Sequence, residues 1–200
     1  MTEAPQPVRR GRGRRPADEV RREVLQAAGE LLLAEGMAGF TIEKVAALAG
    51  ASRVTLHKWW PSKGALALDG YFNVVAPTLA FPDTGDINTD LTTQVLAFVH
   101  LIRDTRAGRV IPEIIGQAQT DPELSAAYRK RYSAPRRALA VEALERAKRR
   151  GQLRAEVDSE TVVDQLWGAC YHRLLIPDQP LTDEFAEALV ANLLLGIGPL

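Results

Sequence analysis

Five arginines lie within seven residues near the start of the sequence. They lie in a Pro- and Gly-rich stretch, residues 1–16, which has nothing from which to build a core. We therefore expect a disordered arm that can lie along phosphates or enter a minor groove. A solubilising tail is the alternative, and the residues that follow must decide between them. The candidate contacts are Arg9, Arg10, Arg12, Arg14 and Arg15.

The segment 41–60 has the pattern of two short helices joined by a tight turn. Thr41 can cap the first helix and Ser52 the second, because both side chains can accept hydrogen bonds from free backbone N–H groups. Gly50 breaks the first helix, since glycine enters the left-handed region cheaply. The small side chain of Ala46 lets the two helices approach closely. The pattern predicts a helix-turn-helix, with a plain helical hairpin as the alternative.

The outer face of the second short helix, residues 52–59, would then be free to enter a major groove. Arg53 can reach the edge of guanine with two hydrogen bonds, while Val54 or Thr55 can contact a thymine methyl group. Leu56 and Trp60 are better interpreted as core residues. The remaining candidates for contact with phosphates or the groove are Thr41, Ser52, His57, Lys58, Trp59 and Lys63.

A second group of reactive side chains, Asp164, Cys170, Tyr171 and His172, lies close together in sequence. Residues 170 and 172 point about 200° apart on a helix, so they cannot act as a nucleophile and its base. Asp164 and His172 are too far apart for an i, i+4 metal pair. The sequence contains no P-loop, nucleophile elbow or dinucleotide-binding fingerprint. We therefore expect a protein without enzymatic activity, a metal site or a cofactor.

The charge of the chain is unevenly distributed. It has 200 residues with 25 Lys+Arg and 25 Asp+Glu, a formal net charge of zero. Residues 1–63 hold 11 basic and 7 acidic side chains, and residues 64–200 hold 14 and 18. A net charge of +4 on the first part and −4 on the second predicts a nucleic-acid-binding head on an acidic body.

Composition excludes several other classes. The 46% of hydrophobic residues excludes a wholly disordered chain. A single cysteine excludes an intramolecular disulfide and a thiolate zinc site. No segment reaches the roughly 20 apolar residues of a membrane span, and no apolar run follows the basic N-terminus as in a secretory signal. We therefore expect a cytoplasmic protein.

The elements that would position the candidate residues are helices. The first should start near Asp18 and stop before Gly36, because apolar residues recur there at spacings of three and four. Ser62 can cap a fourth helix that runs to about Val75. Residues 76–90 are rich in Pro, Gly and Asp and are predicted to be a loop.

Five further helices are predicted in the rest of the chain. The fifth carries a stripe over 91–102, and the others span about 109–119, 120–150, 159–176 and 183–195. Thr120 and Glu123 have the spacing of a capping box at the start of the seventh helix, and Pro135 should kink or break it.

The predicted fold is all-α, with about nine helices, because no period-2 strand pattern persists. A three-helix head with a helix-turn-helix would precede a larger helical bundle. The predicted divisions are the arm at 1–16, the DNA-binding domain at 17–75, and a second domain at 76–200.

Residues 18–66 resemble the start of the TetR family of bacterial transcriptional repressors. The resemblance rests on the helix ending LLLAEGMAGF, on the unit TIEKVAALAGASRVTLHKWWPSKGAL, and on an all-helical remainder. It implies a regulator that binds a pseudo-palindromic operator in double-stranded DNA. Similar regulators have N-terminal extensions that reach DNA, which favours that role for the arginine-rich arm.

The resemblance also implies two roles for the body. The last two helices would form a homodimer interface, for which the candidates are Val163, Cys170, Leu174, Phe185, Ala188, Leu189 and Leu193. The inner helices would enclose a pocket for a small hydrophobic or aromatic effector, with candidate residues Phe98, Leu101, Ile114, Gln117, Trp167 and Tyr171. Effector binding would release a repressor from its operator. Two alternatives remain: a DNA-binding regulator whose body binds no small ligand and acts as a protein-interaction module, and an activator.

Overall fold

The computed structural model describes residues 15–198, apart from the side chain of Thr78, and these residues form an all-helical fold. The predictions for Arg9, Arg10, Arg12 and Arg14 lie outside the described residues. The α-helices are α1 (Ala17–Gly39), α2 (Ile42–Leu48), α3 (Arg53–Trp59), α4 (Lys63–Val75), α5 (Ile87–Asp104), α6 (Ala107–Ala118), α7 (Pro122–Tyr128), α8 (Ala134–Arg149), α9 (Ser159–Leu175) and α10 (Asp183–Ile197).

The predicted helix-turn-helix is confirmed. Thr41 accepts a hydrogen bond from the backbone N–H of Lys44, and Ser52 accepts one from Thr55, so each caps its helix. Gly50 has a φ of 57° and ends α2. Its N–H donates to Ala47 O while the next N–H donates to Ala46 O, the paired bonds of a Schellman cap.

The ends of α1 and α4 also follow the sequence prediction. Gly36 lies at φ 68° and ψ −177°, outside helical geometry, and separates the long helix from a last short turn. Ser62 caps α4 by accepting from Ala65 N–H at 3.1 Å. Helices α1 and α4 cross with Gly29 against Gly70, where the absence of side chains lets the two backbones approach closely.

The predicted loop at 76–90 is wrong in its last four residues. Helix α5 begins at Ile87, because Asp86 accepts from the N–H of Thr89 and caps the helix there. Buried Asp90, which bonds Thr84, fixes the preceding turn. A short 3₁₀ turn at Ala76–Leu79 follows α4 directly.

The predicted capping box before α7 is also wrong. The cap is Asp121, which accepts from the N–H groups of Glu123 and Leu124, both at 3.0 Å. Thr120 instead donates its hydroxyl hydrogen to Gln117 O and so belongs to the end of α6. The carboxylate of Asp121 satisfies two free N–H groups and complements the positive end of the helix dipole.

Replacing Asp121 with alanine should therefore lower the free energy of unfolding by about 1 kcal/mol. The matched control is Thr120→Ala, for which we expect a change within about 0.5 kcal/mol, as for ordinary surface positions. Urea denaturation of both variants measures the difference. Equal losses, or a larger loss for the threonine variant, would contradict the assignment of the cap.

Helices α7 and α8 continue into one another through a π-helical turn, Arg129–Ser133. The N–H of Ala134 donates to Arg129 O, five residues back, as a π turn requires. Pro135, in the first turn of α8, has no N–H to donate to a preceding carbonyl. The predicted break at Pro135 thus takes the form of a widened turn. If α7 and α8 are counted as one helix, the described residues form nine α-helices, in agreement with the predicted number of about nine.

Helix α4 packs on both predicted parts of the chain. It lies against α1 on one side and against α7 on the other. Helix α1 also contacts α6, where the Met37 N–H donates to Glu113 Oε2 at 2.9 Å. The division at residue 75 therefore stays a prediction. None of the helices at residues 15–198 has the length and apolar character needed to cross a bilayer.

Candidate DNA-binding surface and ligand cavity

The outer face of α3 is open to solvent. Val54 is 81% exposed, and Arg53, His57 and Lys58 are exposed beside it. Arg53 Nη1 lies 3.0 Å from Glu43 Oε1 on α2. An exposed ion pair of this kind contributes at most about 1 kcal/mol, so Arg53 can leave it for a base edge at little cost.

The inner face of α3 is anchored as predicted. Leu56 and Trp60 are each only 1% exposed, which confirms their assignment to the core. The Trp60 indole Nε1–H donates to Asp69 Oδ2 on α4 at 2.8 Å, so the end of the reading helix is attached to the next helix. Trp59 is half-buried and packs edge-on against Trp60, with ring centroids 5.7 Å apart.

Several of the predicted phosphate contacts already have partners inside the head. The hydroxyls of Thr41 and Ser52 serve as helix caps, and the Thr55 hydroxyl bonds that of Ser52 at 2.9 Å. Lys63 Nζ donates to Met37 O at 2.7 Å, which fixes the last turn of α1. These groups shape the head, and Lys58 is left as the exposed α3 cation without such a partner among the described residues.

Arg15 connects the predicted arm to the turn of the helix-turn-helix. Its Nη2 donates to Gly50 O at 2.7 Å, and its Nη1 pairs with Glu23. Arg15 thus lies beside the turn between α2 and α3. Lys44, an exposed α2 cation that contacts Glu35 and Gly39 O, was not among the residues predicted from the sequence.

A cavity of about 520 Å³ lies in the body, between α5, α6, the π turn, α8 and α9. Its volume is within the range of roughly 300–1,000 Å³ for small-molecule sites. Most of its wall is aromatic or aliphatic, with a few charged groups. The residues that line it are Phe98, Ile115, Tyr128, Tyr132, Ser133, Arg136, Arg137, Val163, Asp164, Trp167, Gly168, Tyr171 and Leu175.

Half of the predicted pocket residues line this cavity. Phe98, Trp167 and Tyr171 do so, with the Phe98 ring 5.5 Å from that of Trp167 and 5.7 Å from that of Tyr171. Leu101 and Ile114 are instead buried in the core, away from the cavity wall, and Gln117 is exposed. On α6 the cavity-lining residue is Ile115, because one step along a helix turns the side chain by about 100°.

Part of the cavity wall was not predicted from the sequence. Tyr128, Tyr132 and Arg136 recur every four residues, a spacing that could have marked a common face. The four tyrosines of the chain lie close together here: the hydroxyl oxygens of Tyr128 and Tyr171 are 3.4 Å apart, and Tyr71 packs nearby. Burial raises the pKa of Tyr128 to about 12 and raises that of Tyr171 as well, so both hydroxyls remain neutral donors.

The predicted dimer-interface residues divide into two groups. Val163 and Cys170 are buried inside the subunit, and Val163 lines the cavity, so this stripe of α9 faces inward rather than toward a partner. Leu174, Phe185, Leu189 and Leu193 are half-buried against the core, and Ala188 is exposed. Some exposed residues of α9 and α10 recur at helical spacing: Gln165, Gly168, His172 and Leu175, with Ala188, Ala191 and Leu195. Gly168 and Leu175 also line the cavity, so this face of α9 borders it.

Two contacts join the cavity wall to α4. The ring of Tyr132 stacks on Phe72 with centroids 3.8 Å apart and planes within 8°. Arg131, from the same π turn, forms an ion pair with Asp69, the residue that holds Trp60. The π turn therefore contacts α4 directly, and α4 in turn contacts the end of the reading helix.

The group at Cys170 and His172 has no geometry for nucleophilic catalysis. Burial raises the pKa of the Cys170 thiol to about 12, so it is protonated at neutral pH. His172 lies on the exposed face of α9, opposite to Cys170. Across residues 15–198, no three His, Cys, Asp or Glu side chains are grouped so that they could hold a metal ion.

A helix-turn-helix with an exposed reading helix, set on a helical body with a cavity, defines a class of DNA-binding transcriptional regulators. Two family models match this chain: "Bacterial regulatory proteins, tetR family" at residues 24–69, and "Tetracyclin repressor-like, C-terminal domain" at residues 81–193. The chain belongs to the TetR family of transcriptional regulators, as the sequence resemblance predicted.

Similar proteins agree with this assignment. An uncharacterised HTH-type transcriptional regulator of Bacillus subtilis, YdeS, is 35% identical over 184 residues, which cover 92% of each chain. The DNA-binding transcriptional repressor TetR of Mycobacteroides abscessus is 30% identical, over 86% of this chain and 90% of that protein. The crystal structure of the TetR family transcription regulator SCO0332 is 61% identical, with a TM-score of 0.84, and covers 90% of this chain and 100% of that one.

Proposed function

We propose that this regulator is a homodimeric repressor that a small hydrophobic or aromatic effector releases from its operator. The observation that carries the proposal is the aromatic cavity of about 520 Å³, one wall of which contacts α4. A body with a closed core would have favoured a regulator without a ligand. The site of action is the cytoplasm, and the chain itself catalyses no reaction.

DNA recognition is assigned to the exposed face of α3, with the arm as a second contact. We assign Arg53 and Val54 to contacts with base edges, and Lys58 to contact with a phosphate. Arg15 holds the start of the arm beside the α2–α3 turn, from which the preceding arginines can reach the DNA backbone.

Dimerisation is assigned to the exposed face of α9 and α10. Its members include the small residues Gly168, Ala188 and Ala191, which allow close helix packing, and Leu195, which is 85% exposed. Packing this face against the same face of a second subunit would remove the Leu195 side chain from water. A two-fold dimer would place its two heads about 34–36 Å apart, one turn of DNA or a multiple of it.

Release follows if the effector binds better to an arrangement whose heads no longer match that spacing. The shift can be no larger than the difference between the effector's affinities for the two arrangements. Helix α4 carries the change, because it contacts the cavity wall through Phe72 and the reading helix through Asp69.

Selection from a pool of random duplexes tests the DNA-binding part. We expect the full chain to enrich a pseudo-palindrome whose half-sites are about 10 base pairs apart, or a multiple of that. On the selected operator, Lys58→Ala should weaken binding and reduce the salt slope by about 1 for each subunit.

The matched control is Lys130→Ala, which removes the same charge from an exposed position of the π turn. It should leave both the affinity and the salt slope unchanged. Enrichment of no sequence would contradict the assignment of α3 as a reading helix. An equal loss in the two lysine variants would show that Lys58 acts only through net charge.

A further inference from the structure

The cavity wall carries a cation, Arg136, that forms no ion pair with any carboxylate of the described residues, 15–198. Arg137 forms ion pairs with Glu160, which lies outside the cavity lining, and with Asp164, so the one lining carboxylate is already engaged by a lining guanidinium. Arg136 lines the same cavity and is half-buried, but no carboxylate of residues 15–198 lies within ion-pair distance of it. Keeping a half-buried charge without a counter-charge is unfavourable, so such a group is a candidate for binding an anion.

Neutral groups hold the guanidinium of Arg136 in place. Its Nη2 donates to Leu79 O at 2.9 Å. The side-chain amide of buried Gln94 is oriented so that its nitrogen donates to Ala80 O at 3.0 Å. In this orientation its oxygen accepts a second hydrogen bond from Arg136 Nη2, at 2.9 Å. Both acceptors engage one nitrogen, so the donors on Nη1 and Nε stay free of these bonds.

The remaining wall fits a planar apolar body. Phe98, Trp167 and Tyr171 supply ring faces and edges, and the Arg136 guanidinium lies 5.6 Å from the ring centre of Tyr132. Neutral tyrosine hydroxyls add hydrogen-bond donors without adding charge. A cationic ligand would also suit aromatic rings, but here it would face Arg136 while the one lining carboxylate, Asp164, is paired with Arg137.

We propose that the cavity binds a planar aromatic monoanion, an aromatic carboxylate in the simplest case, and that Arg136 is the residue that selects its charge. The carboxylate meets the guanidinium with charge-assisted hydrogen bonds, and the ring lies among Phe98, Trp167 and Tyr171. Gln94 acts as a positioning residue for Arg136. This inference rests on the proposed ligand response and names the chemistry of the ligand.

Calorimetric titration of the full chain tests the inference with three probes of one shape: 2-naphthoate, 2-naphthamide and 2-naphthylmethylamine. We expect naphthoate to bind at least about tenfold more tightly than the amide, which is the order of a charge-assisted hydrogen bond, and the amine to bind most weakly. Arg136→Met and Arg136→Gln should both remove the preference for the acid, because they lower the affinity of the acid much more than that of the neutral amide. The glutamine variant keeps a polar but uncharged side chain, and urea denaturation of both variants separates loss of charge from loss of folding.

Arg109→Met is the matched control, because it removes one exposed arginine of α6 outside the cavity and should preserve the acid preference. Equal binding of acid and amide to the wild type, or tighter binding of the amine, would overturn the inference while leaving a ligand cavity in place. If neither naphthoate nor benzoate binds at about 1 mM, the inference is contradicted together with the aromatic effector. Naphthoate that binds without releasing the operator would support the inference and contradict the release mechanism.

Discussion

Replacing Gly70 with valine should lower the free energy of unfolding by roughly 3 kcal/mol, at the upper end of ordinary overpacking. A Cβ atom on Gly70 would lie 2.6 Å from the Cβ of Ala28 and 2.8 Å from the backbone nitrogen of Gly29. The obstacle is largely the backbone of α1, which cannot move aside as a flexible side chain can. Helices α1 and α4 would have to separate, and the core between them, including Leu32 and Leu66, would lose its packing.

The reciprocal substitution should have the same effect, because a Cβ on Gly29 would lie 2.4 Å from Gly70 O. Gly116→Val is the matched control: a Cβ there meets nothing within 4 Å, and valine is a slightly better helix former than glycine. Urea denaturation followed by circular dichroism measures all three variants. Similar midpoints for Gly70→Val and Gly116→Val would contradict the close crossing of α1 and α4.

Features set by neighbouring residues were predictable from the sequence. The caps at Thr41, Ser52 and Ser62 lie within three residues of the N–H groups they satisfy, and Gly50 needs only its own backbone freedom. The buried positions of Leu56 and Trp60 follow from helical periodicity in the same way. Local chemistry therefore determined the head and its exposed reading face.

Features that depend on how helices pack together were harder to predict. Thr120 and Asp121 are both good caps, and only the observed end of α6 assigns the threonine to that helix. The stripe containing Val163 and Cys170 is apolar whether it faces a partner or the subunit's own cavity, so periodicity alone could not separate the two. The face proposed for dimerisation on α9 and α10 contains small residues, which do not form a recognisable apolar pattern in the sequence.

The cavity shows the same limit. Phe98, Trp167 and Tyr171 were predictable as large aromatic residues on inner helices, whereas Ile115 and Ile114 differ only by one step along α6. Arg136 belongs to a basic run that sequence reasoning treats as a solvated face. Its half-buried position arises from the π turn and from Gln94 on α5, which only the folded chain brings together.

The second large effect should be seen in the coupling between effector and operator. Asp69 accepts the Trp60 indole N–H at 2.8 Å and pairs with Arg131 of the π turn, so it is the residue shared by the reading helix and the cavity wall. Asp69→Asn keeps the shape of the side chain and one acceptor oxygen but removes the charge that holds Arg131. We therefore expect effector and operator each to bind nearly as in the wild type, while the effect of one on the other falls.

The magnitude follows from the size of allosteric couplings, which are about 1–3 kcal/mol and correspond to roughly 5- to 150-fold changes in affinity. We expect the ratio of operator affinities without and with saturating 2-naphthoate to fall about tenfold in Asp69→Asn. Asp83→Asn is the matched control, because Asp83 also pairs with an arginine, Arg150, but lies in the body away from α4. Fluorescence anisotropy of a labelled operator, with and without naphthoate, gives both ratios.

Contact between these residues does not by itself establish coupling, and a double-mutant cycle decides the matter. If Asp69 and Arg131 act together, Arg131→Gln should cause the same loss, and the double variant should lose no more than either single one. Additive losses would mean that the two residues act independently, with the stacked pair of Phe72 and Tyr132 as the remaining route from the cavity to α4. If Asp69→Asn still responds fully to the effector, the ion pair between Asp69 and Arg131 does not transmit the effector signal, because asparagine has no charge with which to replace that pair.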